Sequence, residues 1–292
     1  MKKRVSIFVV LAVLTVNAFA QTAFDYLTDS LVNVLTVSTI LQIADYEYNG
    51  DNALWGTYLE PGKSIALSAQ YDAGVEYLML AAAHTEKTEI YLKVYRGQGT
   101  GGTVIAKDTA PDAAPIVRFT PTNSGWHCFE LINASNVPAF VSLVVLKQKR
   151  NANFTFTSLV EALQNTLAIS KHLATMLPPN SEIPANKWTL FGGNIREGSA
   201  AGYYNTVLAR GAYVLVGAGE NSVNDCDVEI IEQYAADNNS GRVISQNTDS
   251  RYPFDFAVFS PNTSKNHYLK VSNKSSRNAS AFMFGFLILA KK

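Results

Sequence analysis

Three carboxylates, Asp225, Asp227 and Glu229, stand at alternate positions in the segment NDCDVEI. In a strand that spacing sets all three on one face. Their mutual repulsion there is relieved either by solvent or by a hard, oxygen-seeking cation such as calcium. The trio is also a candidate source of a glycosidase acid–base pair, although neighbours on one strand face point the same way and do not straddle a bond. The chain has four histidines, His84, His127, His172 and His267. His127 and His267 each follow a serine by three residues (Ser124 and Ser264) in matching surroundings. That fits either a duplicated ligand contact or a strand-entry ring bonded to a loop backbone. Tyr203 and Tyr204, with Tyr213, Tyr234 and Tyr252, would suit stacking on a sugar or peptide, because the ring offers an apolar face and a polar tip. The other reading is ordinary use of aromatics in strands. No H-E-x-x-H, G-x-S-x-G or phosphate-loop pattern occurs. The glycine-rich run 97–102 (GQGTGG) lies between strand patterns and reads as a hairpin loop.

Groups of these kinds act only if a fold positions them, and composition bounds that fold. The chain has 292 residues, 47% of them hydrophobic and 16% charged, with 24 basic against 24 acidic side chains. Such an apolar fraction supports a packed core and excludes a disordered polymer. Zero net charge without a basic run beyond the first residues argues against a nucleic-acid partner. Two cysteines, Cys128 and Cys226, cannot make a disulfide scaffold or a cysteine zinc site, and they read as isolated thiols.

The chain matches itself once. Phe119 to Asn133 (FTPTNSGWHCFELIN) parallels Phe259 to Asn273 (FSPNTSKNHYLKVSN) at an offset of 140. GTVIAKDT from Gly102 parallels GRVISQNT from Gly241 at 139, EIYL from Glu89 parallels DVEI from Asp227 at 138, and YLMLAA from Tyr77 parallels YVLVGA from Tyr213 at 136. WGTYLEPG from Trp55 parallels FGGNIREG from Phe191 at 136, Ala139-Phe140 parallels Ala281-Phe282 at 142, and the SLV triplets at Ser30 and Ser158 lie 128 apart. The strand-segment offsets rise broadly along the chain, as small loop insertions in a second copy produce. Two homologous units follow, 21–150 and 151–292, with a polar linker at 147–153 (KQKRNAN).

Each unit opens on a helical stripe. Leu27, Leu31, Val34, Leu35, Ser38 and Leu41 recur at three- and four-residue spacings over Phe24 to Ile43, and Leu159, Leu163, Thr166, Leu167, Ser170 and Leu173 do so over Thr157 to Leu177. Ser158 and Glu161 are spaced for a capping box, and Pro178-Pro179 stops the second helix. The remainder reads as short alternating strands, as in EIYLKVY, punctuated by glycine and proline turns. That predicts a mainly β chain of two antiparallel, jelly-roll-like sandwiches, each preceded by one amphipathic helix.

The residues Gly211, Tyr213, Asp225 to Ile230, Gly241 to Ile244 and Phe259 to Val271 resemble the bacterial pre-peptidase C-terminal domain, present here in two tandem copies. The first copy carries Glu89 where the second has Asp227, and Cys128 where an aromatic is usual. The resemblance implies a jelly-roll-like sandwich that accompanies secreted proteases or serves as an extracellular binding module, with calcium or matrix polymers among the family's ligands.

The first twenty residues, MKKR, a dozen mostly apolar residues, then NAFA, have the three parts of a secretory signal peptide. The apolar run is shorter than the roughly 20 residues a membrane span needs. Export to the periplasm, the cell surface or the medium is expected, with no integral membrane segment after cleavage. N-x-S/T sequons occur at Asn133, Asn153, Asn238, Asn262, Asn273 and Asn278. Without a catalytic constellation, the sequence reads as a non-catalytic binding or scaffold protein for a glycan, another extracellular polymer or a protein. The alternatives are a structural envelope component joined through its apolar helices, and a secreted hydrolase with carboxylate acid and base. No cofactor is expected other than calcium.

Overall fold

The computed structural model describes residues 18–44, 46–50, 53–148, 156–177, 181–234, 241–248, 251–261 and 263–290. Helix α1 (Ala18–Ala44) and the short β1 (Tyr46–Tyr48) lead eight strands. These are β2 (Leu54–Leu59), β3 (Ser64–Tyr71), β4 (Tyr77–Ala83), β5 (Ile90–Arg96), β6 (Val104–Asp108), β7 (Ile116–Phe119), β8 (Gly125–Asn133) and β9 (Ala139–Gln148). Helix α2 (Phe156–Met176) leads eight more: β10 (Trp188–Arg196), β11 (Ala200–Leu208), β12 (Ala212–Gly219), β13 (Val223–Gln233), β14 (Gly241–Asn247), β15 (Phe254–Phe259), β16 (Lys265–Ser276) and β17 (Ser280–Ala290).

The strands of the first half form the rows β2-β9-β4-β7 and β3-β8-β5-β6, all antiparallel. Counted serially, that is 1-8-3-6 over 2-7-4-5, the double Greek key of a jelly roll. The second half repeats it as β10-β17-β12-β15 over β11-β16-β13-β14. The two are not strung apart. Strand β2 pairs with β10, which fuses two of the rows into one nine-stranded sheet, with β1 added beside β9. Across the joint Trp55 faces Phe191, Gly56 faces Leu190 and Leu54 faces Gly192. Because Leu54 and Gly56 lie 136 before Leu190 and Gly192, these contacts are reciprocal, the mark of an internal two-fold axis passing between Trp55 and Phe191.

Hydrogen-bond register corrects two offsets. Arg96 pairs with His127 and Glu232 with His267, so Glu89 corresponds to Asp225 at 136, not to Asp227 at 138. In the helices Asn33 donates to Ala83 O at 2.9 Å and Asn165 to Gly219 O at 2.8 Å, an offset of 132 rather than 128. Both slips are close to one structural repeat, two residues in a strand and four in a helix. Such a slip returns each side chain to its original face and is invisible in the apolar pattern. The 139 offset stands in register too, down to a shared bulge that leaves Ile105 and Ile244 unpaired.

Both helices lie on one face of the large sheet. Leu27, Leu31 and Val34 of α1 and Leu159 and Leu163 of α2 cluster with Leu78, Phe140, Val144, Val216, Phe284 and Phe286. Its other face packs on the two small sheets through Met79, Leu143, Leu215 and Met283 against Leu92, Phe129, Val228 and Leu269. A sheet covered on both faces carries solid apolar strands, which is why YLMLAAA and AFMFGFLILA lack alternation while IYLKVYR, with one wet face, keeps it. Among the described residues both helices turn their apolar stripes onto the sheet. Large apolar side chains are exposed instead on edge strand β15, at Phe254, Phe256 and Val258.

Several local expectations change. Glu161 accepts from Asn221 N at 3.1 Å in the β12–β13 turn, and α2 already begins at Phe156, so Ser158 lies within the helix and the capping box is not built. Lys147 and Gln148 of the expected linker are the last residues of β9, with Lys147 Nζ 3.5 Å from the buried Glu47; 149–155 lie outside the described residues. Of the sequons, Asn133 and Asn273 are fully buried with their amides donating to Leu59 O and Ile195 O, so they accept no glycan in the folded chain. Asn278 is exposed, and Asn153, Asn238 and Asn262 are outside the described residues. So are residues 1–17 of the expected leader. Among the described residues no helix is long and apolar enough to cross a membrane.

Candidate binding cleft

The residues singled out for chemistry do not converge. His127 and His267 occupy the same place in the two halves, but on the inner side of the small sheets, 4% and 1% exposed. His127 Nδ1 lies 3.1 Å from Gly125 O and its ring meets Tyr71 and Phe119; the His267 ring packs on Phe259. Alternation with Phe129 and Leu131, or Leu269 and Val271, turns both rings into the sandwich, so they are not a duplicated ligand contact. Tyr203 is also a core residue, edge-on to Trp55 at 6.2 Å, and burial pushes its hydroxyl up to about 12. It offers no stacking surface. Tyr204 lies in β11, and its side chain is outside the described residues.

Asp225, Asp227 and Glu229 do share the outer face of β13, as their spacing demands. Strand β16 answers them with lysines: Lys274 Nζ is 3.3 Å from Asp227, and Lys270 is paired with Glu229. Burial raises the Asp225 carboxyl, and the neighbouring Asp227 adds to the shift. Among the described residues no group of three or more His, Cys, Asp or Glu side chains converges as a metal site. Both thiols are buried and unbridged. Burial raises Cys128 and, with Asp255, Asp227 and Asp225 nearby, lifts Cys226 further, which makes both poor nucleophiles.

Burial also lowers the imidazoles of His267 and His84, outweighing the nearby Glu232 and Asp29. Each binds a proton less readily folded than unfolded. Their contribution to stability is therefore complete above the ordinary histidine value of 6.5 and is lost as pH falls below it. A urea midpoint lower at pH 5.5 than at pH 7.5, with a shallower decline in His267→Gln, is the expected result.

One cleft, of about 420 Å³, opens at the end of the small sheet in the first half. Two loops form it. Arg96, Gly97 and Gln98 leave β5, and Thr122, Asn123 and Ser124 lead into Gly125 and Trp126 of β8. Gly97 N donates to Trp126 O at 2.9 Å, which sets the two loops side by side, and Arg96 N donates to Thr103 O at 2.9 Å, which closes the β5–β6 hairpin. Gly99 N donates to Ser68 Oγ at 3.0 Å, tying the glycine run over β3 as a hairpin loop. Ser124 Oγ accepts from Ala73 N at 2.8 Å, and Gly74 N donates to Pro121 O at 2.9 Å, which pins the second loop to the β3–β4 turn. Gly125, at the start of β8, has φ +150°, a value L side chains rarely adopt, and Trp126 faces out by alternation with the inward His127.

Trp126 is 43% exposed, whereas Trp55 and Trp188 are buried. Gln98, Asn123, Thr122, Ser124, Arg96 and His127 line the cleft with it. No carboxylate lines the cleft. Ser124 is bonded to Ala73 and not to His127, so no nucleophile–base pair is assembled. The self-match directed attention to positions that recur, and Trp126 does not: Asn266 stands in its place. The signal was the exception to the repeat, an aromatic at a strand entry where the other copy has a polar residue.

No family model matches the chain, and no curated protein matches it. The pre-peptidase C-terminal resemblance thus rests on the residues quoted for it. Among solved structures, the M60 catalytic domain with the CBM51-1 and CBM51-2 domains of Clostridium perfringens ZmpB is 9% identical over 84% of this chain, at a TM-score of 0.23, and the chain spans 37% of its length. The PBSX exported protein XepA is 10% identical over 83% of this chain and 86% of its own, at 0.26. The CBM32-1 and CBM32-2 domains of C. perfringens ZmpB are 10% identical over 90% of this chain and 98% of theirs, at 0.24. Likeness at this level says nothing about a ligand.

Proposed function

We propose that this chain is an exported, non-catalytic carbohydrate-binding protein whose ligand rests on Trp126 in the cleft of the first jelly roll. The carrying observation is the half-exposed indole bordered by amides and hydroxyls with no acid beside it. A pyranose has C–H groups that pack on an aromatic face and hydroxyls that need directional partners, which is what Gln98, Asn123, Thr122 and Ser124 supply. Without a carboxylate or an activated nucleophile, a bound glycan is held and not cleaved. The leader pattern of the first twenty residues supports export. A cut after Ala20 removes only the first residues of α1 and leaves Phe24, Leu27 and Leu31 on the sheet.

The test is a glycan array probed with the purified chain, followed by titration of the best binder against Trp126→Ala. Affinity falls at least tenfold, about 1.4 kcal/mol, while the melting temperature stays within about 2 °C because the indole is half in solvent. A chain that binds no glycan, or a variant that binds unchanged, overturns the reading.

A further inference from the structure

The cleft is lined by one arginine and by no carboxylate. Arg96 is exposed, lines the cleft beside Trp126, and makes no ion pair among the described residues. The second half shows how the fold treats the same corner when no ligand is served. Arg96 and Glu232 are equivalent, each paired in register with its histidine, and so are Gly125 and Lys265 and Trp126 and Asn266. There Glu232 is clamped between Lys265 Nζ at 2.8 Å and Arg242 at 3.8 Å. That corner carries its own carboxylate on its own cations and lacks the indole. The first half puts a cation, Arg96, where that corner has its carboxylate, has Gly125 and Thr103 in place of Lys265 and Arg242, and adds the indole. An uncompensated cation and an exposed indole thus line one cleft.

We propose that the cleft selects an acidic saccharide, its ring against Trp126 and its carboxylate on the guanidinium of Arg96, and that the chain carries one such site, in the first half only. The inference rests on the carbohydrate-binding reading above and adds the ligand's charge and its stoichiometry. The guanidinium presents a planar fork of donors that meets a carboxylate through two parallel hydrogen bonds, and Gln98 and Asn123 flank it with neutral donors and acceptors for the ring hydroxyls.

The experiment titrates the full chain, by calorimetry at low salt, with trisaccharides of galacturonic, glucuronic and mannuronic acid and with their methyl esters, which keep the shape and remove the charge. For at least one acid the expected preference over its ester is about tenfold with a stoichiometry near one, and it shrinks at 0.5 M salt as an exposed pair is screened. In Arg96→Gln acid and ester bind alike while the melting temperature is unchanged; Arg96→Lys keeps part of the preference. Equal affinity for acid and ester in the unmodified chain, or a preference that survives Arg96→Gln, or two sites per chain, overturns this inference and leaves the carbohydrate reading standing. Binding of neither acids nor esters, in a chain that also binds no neutral glycan on the array, overturns both.

Discussion

Replacing Trp188 with alanine lowers the unfolding free energy by about 3–5 kcal/mol, the range for deleting a buried aromatic. The side chain is fully buried, 5.6 Å from Trp55 and 5.9 Å from Phe129 between ring centroids, and its Nε1 donates to Ala66 O at 3.3 Å. All three partners belong to the first half of the chain, while Trp188 itself begins the first strand of the second. The cavity therefore opens in a core that both halves share. Urea denaturation should show one transition with its midpoint displaced and its slope preserved. The exposed Trp126→Ala is the matched control, with a loss under about 1 kcal/mol. A loss that small for Trp188→Ala, or a calorimetric scan resolving two transitions of which one is untouched, would mean that the aromatic joint does not couple the halves.

Gly192→Ala is nearly as damaging, about 3–5 kcal/mol, although it adds one carbon. Gly192 has φ +148°, and a Cβ there would stand 2.2 Å from Met283 O and 2.9 Å from Phe284 Cα. Backbone strain and overpacking each cost on the order of 1–3 kcal/mol, and neither obstacle is a flexible side chain that can swing away. The residue sits where β10 meets both β17 and β2, with its carbonyl accepting from Ala53 N at 3.1 Å. Its symmetry mate Gly56 is the comparison. There a Cβ meets Leu190 Cβ at 3.1 Å, and φ is ordinary, so Gly56→Ala costs about 1 kcal/mol. Thermal midpoints of the two variants check the order. If Gly56→Ala proves the worse of the two, the asymmetry at the joint is not as described.

Much of the architecture was legible in the residues. The helical stripes at Leu27, Leu31 and Leu35 and at Leu159, Leu163 and Leu167 correspond to α1 and α2, and the matching segments from Tyr77 and Tyr213 correspond to the third strand of each jelly roll. The candidate site was not. His127, His267 and Tyr203 attracted attention because of residue type and recurrence, and they are packing residues. The carboxylates of β13 were placed on the right face, but their lysine partners come from β16, some forty residues away in sequence, where no local spacing rule reaches. Arg96 and Trp126 lie thirty residues apart and become neighbours only through the pairing of β5 with β8.

Periodicity, hence element type, and duplication, hence two matching jelly rolls, are carried by the order of the residues alone. Those are properties of neighbours along a chain, where side-chain direction repeats every two or 3.6 residues. Folding settles what periodicity cannot encode: that β2 and β10 join edge to edge into one sheet, which copy of a repeated position is buried and which is open, and which distant loops share a cleft. Strand pairing depends on hydrogen bonds and packing between segments far apart in sequence, and a two-residue slip in register leaves every apolar face intact. The same pattern of residues is thus compatible with several partnerships, and only the assembled core selects one.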